Sequence, residues 1–313
     1  MKHSTDRILT SHAGSLPRPQ ALIEVNQAKL EGRALDEKTY EARLQQAVED
    51  ACRKQVELGI DVINDGEFGK VTRGAIDYGA WTSYAWARLK GWEPGEARAL
   101  PALAGRRDRQ KFADFYREHD ATSFLSSSML QGRPPVFTGP ISYAGHAMVT
   151  RDIANFKAAL ARVKAEEGFI TSVAPGSFAR RQNQYYKTDE EFLFALGEAM
   201  REEYKAVIDA GLVLQLDDPG NVRHEHEWKV WRDVKLPEGK ILIPGVVSHA
   251  TNVLEYPELI ADRILRFASC VGRENVIAGT DCGLGGRVHE QIAWAKLEAL
   301  SEGARLASKQ LWK

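Results

Sequence analysis

What most constrains this chain is a unit that recurs along it: a short apolar run that stops on polar and glycine residues, usually reached through a helix. The runs end in Ser11-His12, Asp65-Gly66-Glu67, Pro175-Gly176, Asp217-Asp218-Pro219, Ser248-His249 and Asp281-Cys282. Strands that alternate with helices in this way imply parallel pairing. Two architectures compete for such a pattern, the closed (β/α) barrel and the open doubly wound sheet. No G-x-G-x-x-G follows the first strand, which removes the main support for a dinucleotide-binding sheet. Polar residues at the end of every run fit the barrel, where the C-terminal ends of the strands ring one site. A length of 313 residues is also that of a single α/β barrel, so one domain over 1–313 is expected.

Helical spacing predicts helices over about 36–58, 152–167, 189–210, 257–271 and 288–309. Thr188-Asp189-Glu190-Glu191 has the form of a capping box. The run 134–143 reads as a strand that its prolines confine to an edge or rim. Cys52 and Cys270 fall inside helices as packing residues. Between about 70 and 133 lies an insertion rich in Trp, Tyr and Arg, which reads either as a packed cover or as a substrate lid.

Charge excludes some partners. Lys plus Arg number 42 and Asp plus Glu 43, so there is no electrostatic footprint for nucleic acid or for an anionic membrane. No apolar stretch approaches the roughly 18 residues of a membrane span, and the first apolar run is too short for a signal peptide. Three widely spaced cysteines argue for a reducing, cytoplasmic setting over a disulfide framework.

In a barrel the strand ends bring together His12, Ser15, Glu67, Asp217, Asp218, His249 and Cys282. Carboxylates there could hold an amine, act as acid or base, or ligate a metal. A thiol at a strand end could meet a soft metal or an acyl group, or be an inert packed cysteine. In His224-Glu225-His226 both imidazoles share a face only if the segment is extended.

Four motifs in order resemble the cobalamin-independent methionine synthase family. They are Ser11-His12-Ala13-Gly14-Ser15-Leu16-Pro17-Arg18-Pro19, Asn64-Asp65-Gly66-Glu67, Gln215-Leu216-Asp217-Asp218-Pro219 and Gly279-Thr280-Asp281-Cys282-Gly283-Leu284. The likeness is to the C-terminal catalytic domain and its stand-alone relatives, which include the epoxyalkane:coenzyme M transferases, and it covers nearly the whole chain. It implies a (β/α)8 barrel and zinc-dependent transfer of a methyl or other alkyl group to a thiol, in the manner of a homocysteine methyltransferase using a methylated folate. It implies Cys282 as a zinc ligand, Glu67 and Asp217 as groups that hold the substrate's amino group, and Ser15 and His12 in the loop that receives its carboxylate. It places His249 near a proton-donating histidine, with Asp217 beside it in the catalytic set.

One departure bears on all of this. The family's zinc site also draws a histidine and a cysteine from an H-x-C strand end, and commonly a glutamate from the next strand. No H-x-C occurs in this chain, and only 220–240 separates Pro219 from Ile241, whereas one βαβ unit needs about 30 residues. The sequence reads as a barrel short of two strand–helix units between Gly220 and Asn221. His224 or His226 are the substitutes on offer for the absent zinc ligands. The expectations are therefore weak or absent zinc, doubtful turnover, and a homo-oligomer that covers the open strand edges. Alternatives are an epoxide:thiol transferase, a metal-free decarboxylase of the uroporphyrinogen type, and an inactive barrel that binds a small molecule.

Overall fold

In the computed structural model, residues 1–33, 36–70, 84–96, 110–122, 135–179, 182–218 and 225–313 are described. The elements are β1 (Leu9–Thr10), α1 (Gln20–Leu30), α2 (Glu37–Glu57), β2 (Val62–Asn64), β3 (Leu89–Pro94), α3 (Ala113–Thr122), β4 (Pro135–Tyr143), α4 (His146–Leu160), β5 (Glu167–Val173), α5 (Pro175–Phe178), β6 (Gln182–Asn183), α6 (Asp189–Asp209), β7 (Val213–Asp217), a 3-10 turn (Glu225–Lys229), α7 (Val230–Asp233), β8 (Gly245–Val247), α8 (Pro257–Val271), a second 3-10 turn (Arg273–Asn275), β9 (Ile277–Thr280) and α9 (Glu290–Leu311).

The parallel strands form two ladders, β8–β9–β1 and β2–β5–β7. These join where the Asp61 N–H donates to the Thr10 carbonyl at 3.2 Å and the Ser11 hydroxyl donates to the Val62 carbonyl at 3.2 Å. The result is one parallel array, β8–β9–β1–β2–β5–β7, with helices packed along it. The α/β alternation with parallel strands is as the sequence predicts, and no ladder among the described residues closes the array into a barrel. Among the described residues no ladder joins β7 to β8, and the opening falls between the two strands that flank the short 220–240 connection.

Burial follows position in the array. Val62, Ile63, Val173, Val246, Val247, Ile277 and Ala278 are fully buried, and α2, α4, α6, α8 and α9 lay their apolar stripes over them. By contrast β7, which among the described residues pairs with β5 alone, is half-buried, and Leu216 is 49% exposed. Caps fix the helix starts. Asp36 accepts from the Lys38 and Thr39 N–H groups of α2. At α6 the Thr188 hydroxyl accepts from the Glu191 N–H at 3.1 Å, while the Glu191 carboxylate accepts from the Lys187 N–H at 3.1 Å, a variant of the reciprocal capping pattern.

Two boundaries differ from the sequence reading. The helix predicted over 152–167 runs from His146 to Leu160, because Glu167 and Gly168 pair with Val62 and Ile63 as the start of β5. The proline-bounded strand β4 is the middle of a rim sheet, β3–β4–β6, not an edge. Its prolines are tolerated because β6 pairs only with Val136 and Phe137, leaving Pro140 beyond that ladder.

Part of the insertion over 70–133 is described. Tyr84, Ala85, Trp86 and Leu89 are buried, and Trp86 packs edge-on against Phe178 and beside Phe137. A polar core locks it down. Arg88 donates to Asp152 at 2.8 Å and lies 3.3 Å from Glu203, and Glu203 also accepts from the hydroxyls of Tyr84, Tyr143 and Ser172. These residues behave as packing. No helix among the described residues is long and apolar enough to cross a membrane.

Candidate functional site

The C-terminal ends of the strands gather on one side of the array, and the loop after β1 ties them together. The Leu16 N–H donates to the Gly66 carbonyl at 3.2 Å, and the Ser15 carbonyl accepts from the Leu284 and Gly285 N–H groups at 3.0 and 2.9 Å. Gln215 on β7 reaches across to donate to the Ala13 carbonyl and to the Asp217 carboxylate, both at 2.8 Å. Two glycines make the close approach possible. A Cβ on Gly14 would stand 2.3 Å from Glu67 Oε1, and one on Gly283 would stand 2.9 Å from the Ser15 Cβ. The loop thus lies against the β2 turn on one side and against the residue after Cys282 on the other.

Glu67 is 6% exposed and is the positive-φ non-glycine residue among those described, at φ 61°. Its N–H donates to the Asp65 carboxylate at 2.9 Å, and Arg18 donates to the carbonyls of Glu67 and Lys70. The left-handed turn aims the carboxylate inward, where Oε1 accepts from the Thr171 hydroxyl at 2.9 Å and Oε2 lies 3.2 Å from the Lys70 ammonium. Burial, with Asp152 as a second negative charge, pushes the Asp65 carboxyl up to about 6.

His12 is buried, and both its nitrogens are in use. Nδ1 accepts from the Gly14 N–H at 3.2 Å and Nε2 lies 2.7 Å from Gln55 Oε1. Burial lowers its pKa to about 4, so the neutral ring donates through Nε2. That leaves no ring nitrogen for a substrate carboxylate.

At the other end of the array His249 Nδ1 lies 2.7 Å from Asp281 Oδ1, which also accepts from the His249 N–H at 2.7 Å. The strand end behind it is rigid. The Ser248 N–H donates to Glu255 at 2.8 Å, and the fully buried Lys296 of α9 donates to the other Glu255 oxygen at 2.6 Å. Burial raises the Asp281 pKa, but the two His249 hydrogen bonds outweigh it and hold the carboxylate below its usual range. Cys282 follows directly. Burial pushes its thiol up, Arg287 and the Gly283 N–H oppose this, and the negative charges of Asp281 and Asp217 add to it. Asp217 and Cys282 therefore lie within electrostatic reach across the mouth. The Asp218 carboxylate accepts from Ser177 at 3.0 Å.

Cys52 and Cys270 take no part. The first is buried on α2 with its thiol driven well up by burial, and the second contacts the Trp228 carbonyl at 3.9 Å. His224 lies outside the described residues, as does the side chain of His226. Among the described residues no three His, Cys, Asp or Glu side chains group as a metal site. A cleft of about 940 Å³ lies elsewhere, lined by Arg7, Glu57, Tyr256, Glu298 and Arg305 among others. The sequence reading did not single out Asp281, Lys70 or Thr171. Asp281 was signalled only by its place before Cys282, and Lys70 only by its spacing of three from Glu67.

Parallel strands with their polar ends converging on a shared loop define an α/β protein, in which no ladder among the described residues joins β7 to β8. Comparison with known proteins finds several that it resembles. Residues 8–79 match the model of the cobalamin-independent synthase catalytic domain. A methionine synthase from Sulfolobus acidocaldarius is 27% identical over 226 residues, covering 71% of this chain and 55% of that protein. The chain thus spans about half the length of the curated relative it matches. A B12-independent methionine synthase from Shewanella sp. W3-18-1, solved in complex with selenomethionine, superposes with a TM-score of 0.69 at 18% identity, covering 97% of this chain and 99% of that one. A Listeria monocytogenes protein described as a putative vitamin-B12 independent methionine synthase gives 0.58 at 15% identity, covering 98% and 99%. The chain is thus similar to cobalamin-independent methionine synthases, in sequence over its first strands and in fold over most of its length.

Proposed function

We propose that this chain binds a small thiol at the mouth formed by the β1 loop, Asp217, His249 and Cys282, and that its chemistry is alkyl transfer to that thiol, a methionine-synthase-like reaction. The single observation behind this reading is the His249–Asp281 pair beside Cys282 on adjacent strand ends. With Nδ1 held against Asp281, the imidazole has Nε2 as its other ring nitrogen. In the transfer a thiol S–H loses its proton to that nitrogen, an S–C bond forms, the bond from carbon to the donor's leaving atom breaks, and the imidazolium returns the proton to the leaving group.

Zinc, which the family resemblance implies, would supply activation of the thiol. The described residues do not fit it. Cys282 is the thiol at the mouth, His249 Nδ1 is committed to Asp281, and no three-donor cluster accompanies them, whereas a catalytic zinc takes three protein ligands. No step is drawn through the metal. We further infer that the opening between β7 and β8 reflects two lost strand–helix units, and that its bare edges favour self-association.

The test is transfer to a small thiol from a methylated folate, a simple methylated donor and an epoxide, followed by mass spectrometry of the thiol. Slow product formation is expected, with a fall of about 100-fold in His249→Asn. No product from any donor, or a rate indifferent to His249→Asn, would sink the reading. Stoichiometric zinc by elemental analysis, lost on Cys282→Ala, would overturn the account of the metal. A single-copy mass by light scattering would count against self-association.

A further inference from the structure

The turn after β2 buries a cation supplied by the chain itself. Lys70 is 5% exposed. Its ammonium donates to Thr171 Oγ1 at 2.6 Å, lies 3.2 Å from Glu67 Oε2 and stands over the Tyr84 ring, 4.6 Å from its centroid. A carboxylate, a hydroxyl and an aromatic face are the groups that recognise an ammonium. Here they form a complete cradle, built from the β2 turn, β5 and the insertion, and Lys70 already fills it.

We propose that Lys70 is a specificity-determining residue of the mouth: its ammonium takes up Glu67, Thr171 and Tyr84, so the thiol accepted here is one without an amino group. This rests on the thiol-acceptor reading above. Three observations support it. Glu67 Oε1 is taken by Thr171 and Oε2 by Lys70, so neither carboxylate oxygen is left without a partner. The Gly14 backbone closes the remaining face, since even a methyl there would stand 2.3 Å from Oε1. Tyr84 cannot retreat, because its hydroxyl is tied to the buried Glu203.

A second ammonium would face Lys70 at close range in a site with little water, where like charges repel strongly. Expelling Lys70 would leave its charge to find new partners. A thiol that carries no ammonium meets no such conflict. In this the chain would differ from its Shewanella relative, which was solved with an amino acid, selenomethionine.

The experiment compares homocysteine with its deamino analogue, mercaptobutyrate, by titration calorimetry on wild type, Lys70→Met and Lys70→Ala. Wild type is expected to bind mercaptobutyrate at least as tightly as homocysteine. In Lys70→Met the affinity ratio should move at least about tenfold toward homocysteine, the scale of one charge-assisted hydrogen bond regained. A ratio unchanged within about twofold in the folded variant would show a purely structural ion pair and overturn the proposal. So would a wild-type preference for homocysteine of about tenfold or more, a result that needs no variant to fold. A second measurement reads the cradle without any thiol. Ethylammonium, relative to sodium, should raise the melting temperature of Lys70→Ala and leave wild type unmoved, and equal effects on both would also overturn the proposal. If neither thiol binds any of the proteins, the thiol-acceptor reading fails as well, and the ethylammonium result then shows whether the cradle description survives it.

Discussion

The strand ends of β1 and β2 and those of β8 and β9 are built from the same residue types, yet they treat charge in opposite ways. At the first pair burial drives groups toward neutrality: His12 is lowered to about 4 and Asp65 raised to about 6. At the second pair Asp281 is held ionised by His249 despite its burial. The cause is the set of partners each group finds. His12 meets a neutral amide and a backbone N–H, and Asp65 has Asp152 as a second negative charge, so burial prevails. Asp281 accepts from both the ring and the N–H of His249, and these bonds outweigh its burial. A strand end that has used all its donors and acceptors internally is scaffold, and one that keeps a polarised pair is where chemistry with an outside molecule is available.

The largest effect expected from this contrast concerns the flanked strands. Val173 of β5 is fully buried between β2 and β7. Val173→Asp puts a carboxylate there with no cation arranged for it, a change that costs more than about 4 kcal/mol. Urea denaturation measures it, and a loss under about 1 kcal/mol would mean the array is looser than its burial implies.

Next in size is a pair of opposed pH dependences. The His12 pKa is depressed from 6.5 to about 4, so between these values the unfolded chain binds the extra proton and stability falls as pH drops. The Asp65 pKa is raised from 3.8 to about 6, so in that window the folded chain binds the extra proton and stability rises as pH drops. Each amounts to about 3 kcal/mol across its window, and in wild type they nearly cancel between pH 4 and 6. His12→Asn should therefore gain stability on going from pH 6 to pH 4, and Asp65→Asn should lose it. Denaturation curves at the two pH values check both signs. If the two variants have the same slope, the ends of β1 and β2 are not dry.

At β8 and β9 the effect is smaller and of the ordinary acid kind. Asp281 has its folded pKa depressed, so its contribution is present above the normal carboxyl range and lost as pH falls through the folded value. Asp281→Asn removes a charge-assisted hydrogen bond and should cost about 1–2 kcal/mol at neutral pH. Because the amide no longer holds the His249 Nδ1–H against a charge, the Nδ1 signal of His249 should move, which nitrogen-15 NMR reads directly. An unmoved His249 signal would separate the pair and weaken the case for chemistry at this end.

Much of the frame was legible because it rests on local signals. The six strand ends were visible as apolar runs stopping on polar residues, α2, α6, α8 and α9 as periodic stripes, and the break after Pro219 as a connection too short for a βαβ unit. The site was less legible, since strand ends say which residues converge but not which are already satisfied. Nothing near His12 in sequence announces that Gln55 and Gly14 take up both ring nitrogens, and Glu67 does not show that Thr171 and Lys70 occupy it. These partners come from other elements, and pairing between elements is set by the array, not by spacing. The end of α4 was misjudged for the same reason, because Glu167 was claimed by a strand partner, Val62, more than 100 residues away.

The smallest predicted effect tests the open flank itself. Leu216 stands in the ladder opposite Ser172, next to the register pair of Val173 and Asp217, yet it is 49% exposed while Val173 is at 0%. The same substitution therefore has opposite expectations on adjacent strands. Leu216→Asp exchanges a half-exposed apolar side chain for a hydrated carboxylate and should change the unfolding free energy by no more than about 0.5 kcal/mol. Measured beside Val173→Asp under the same conditions, it gives the contrast directly. Should Leu216→Asp cost several kcal/mol in dilute protein, the strand is covered within the chain and the opening between β7 and β8 is not an edge. Should its cost appear only as protein concentration rises, a second copy covers it, since stability linked to association depends on concentration.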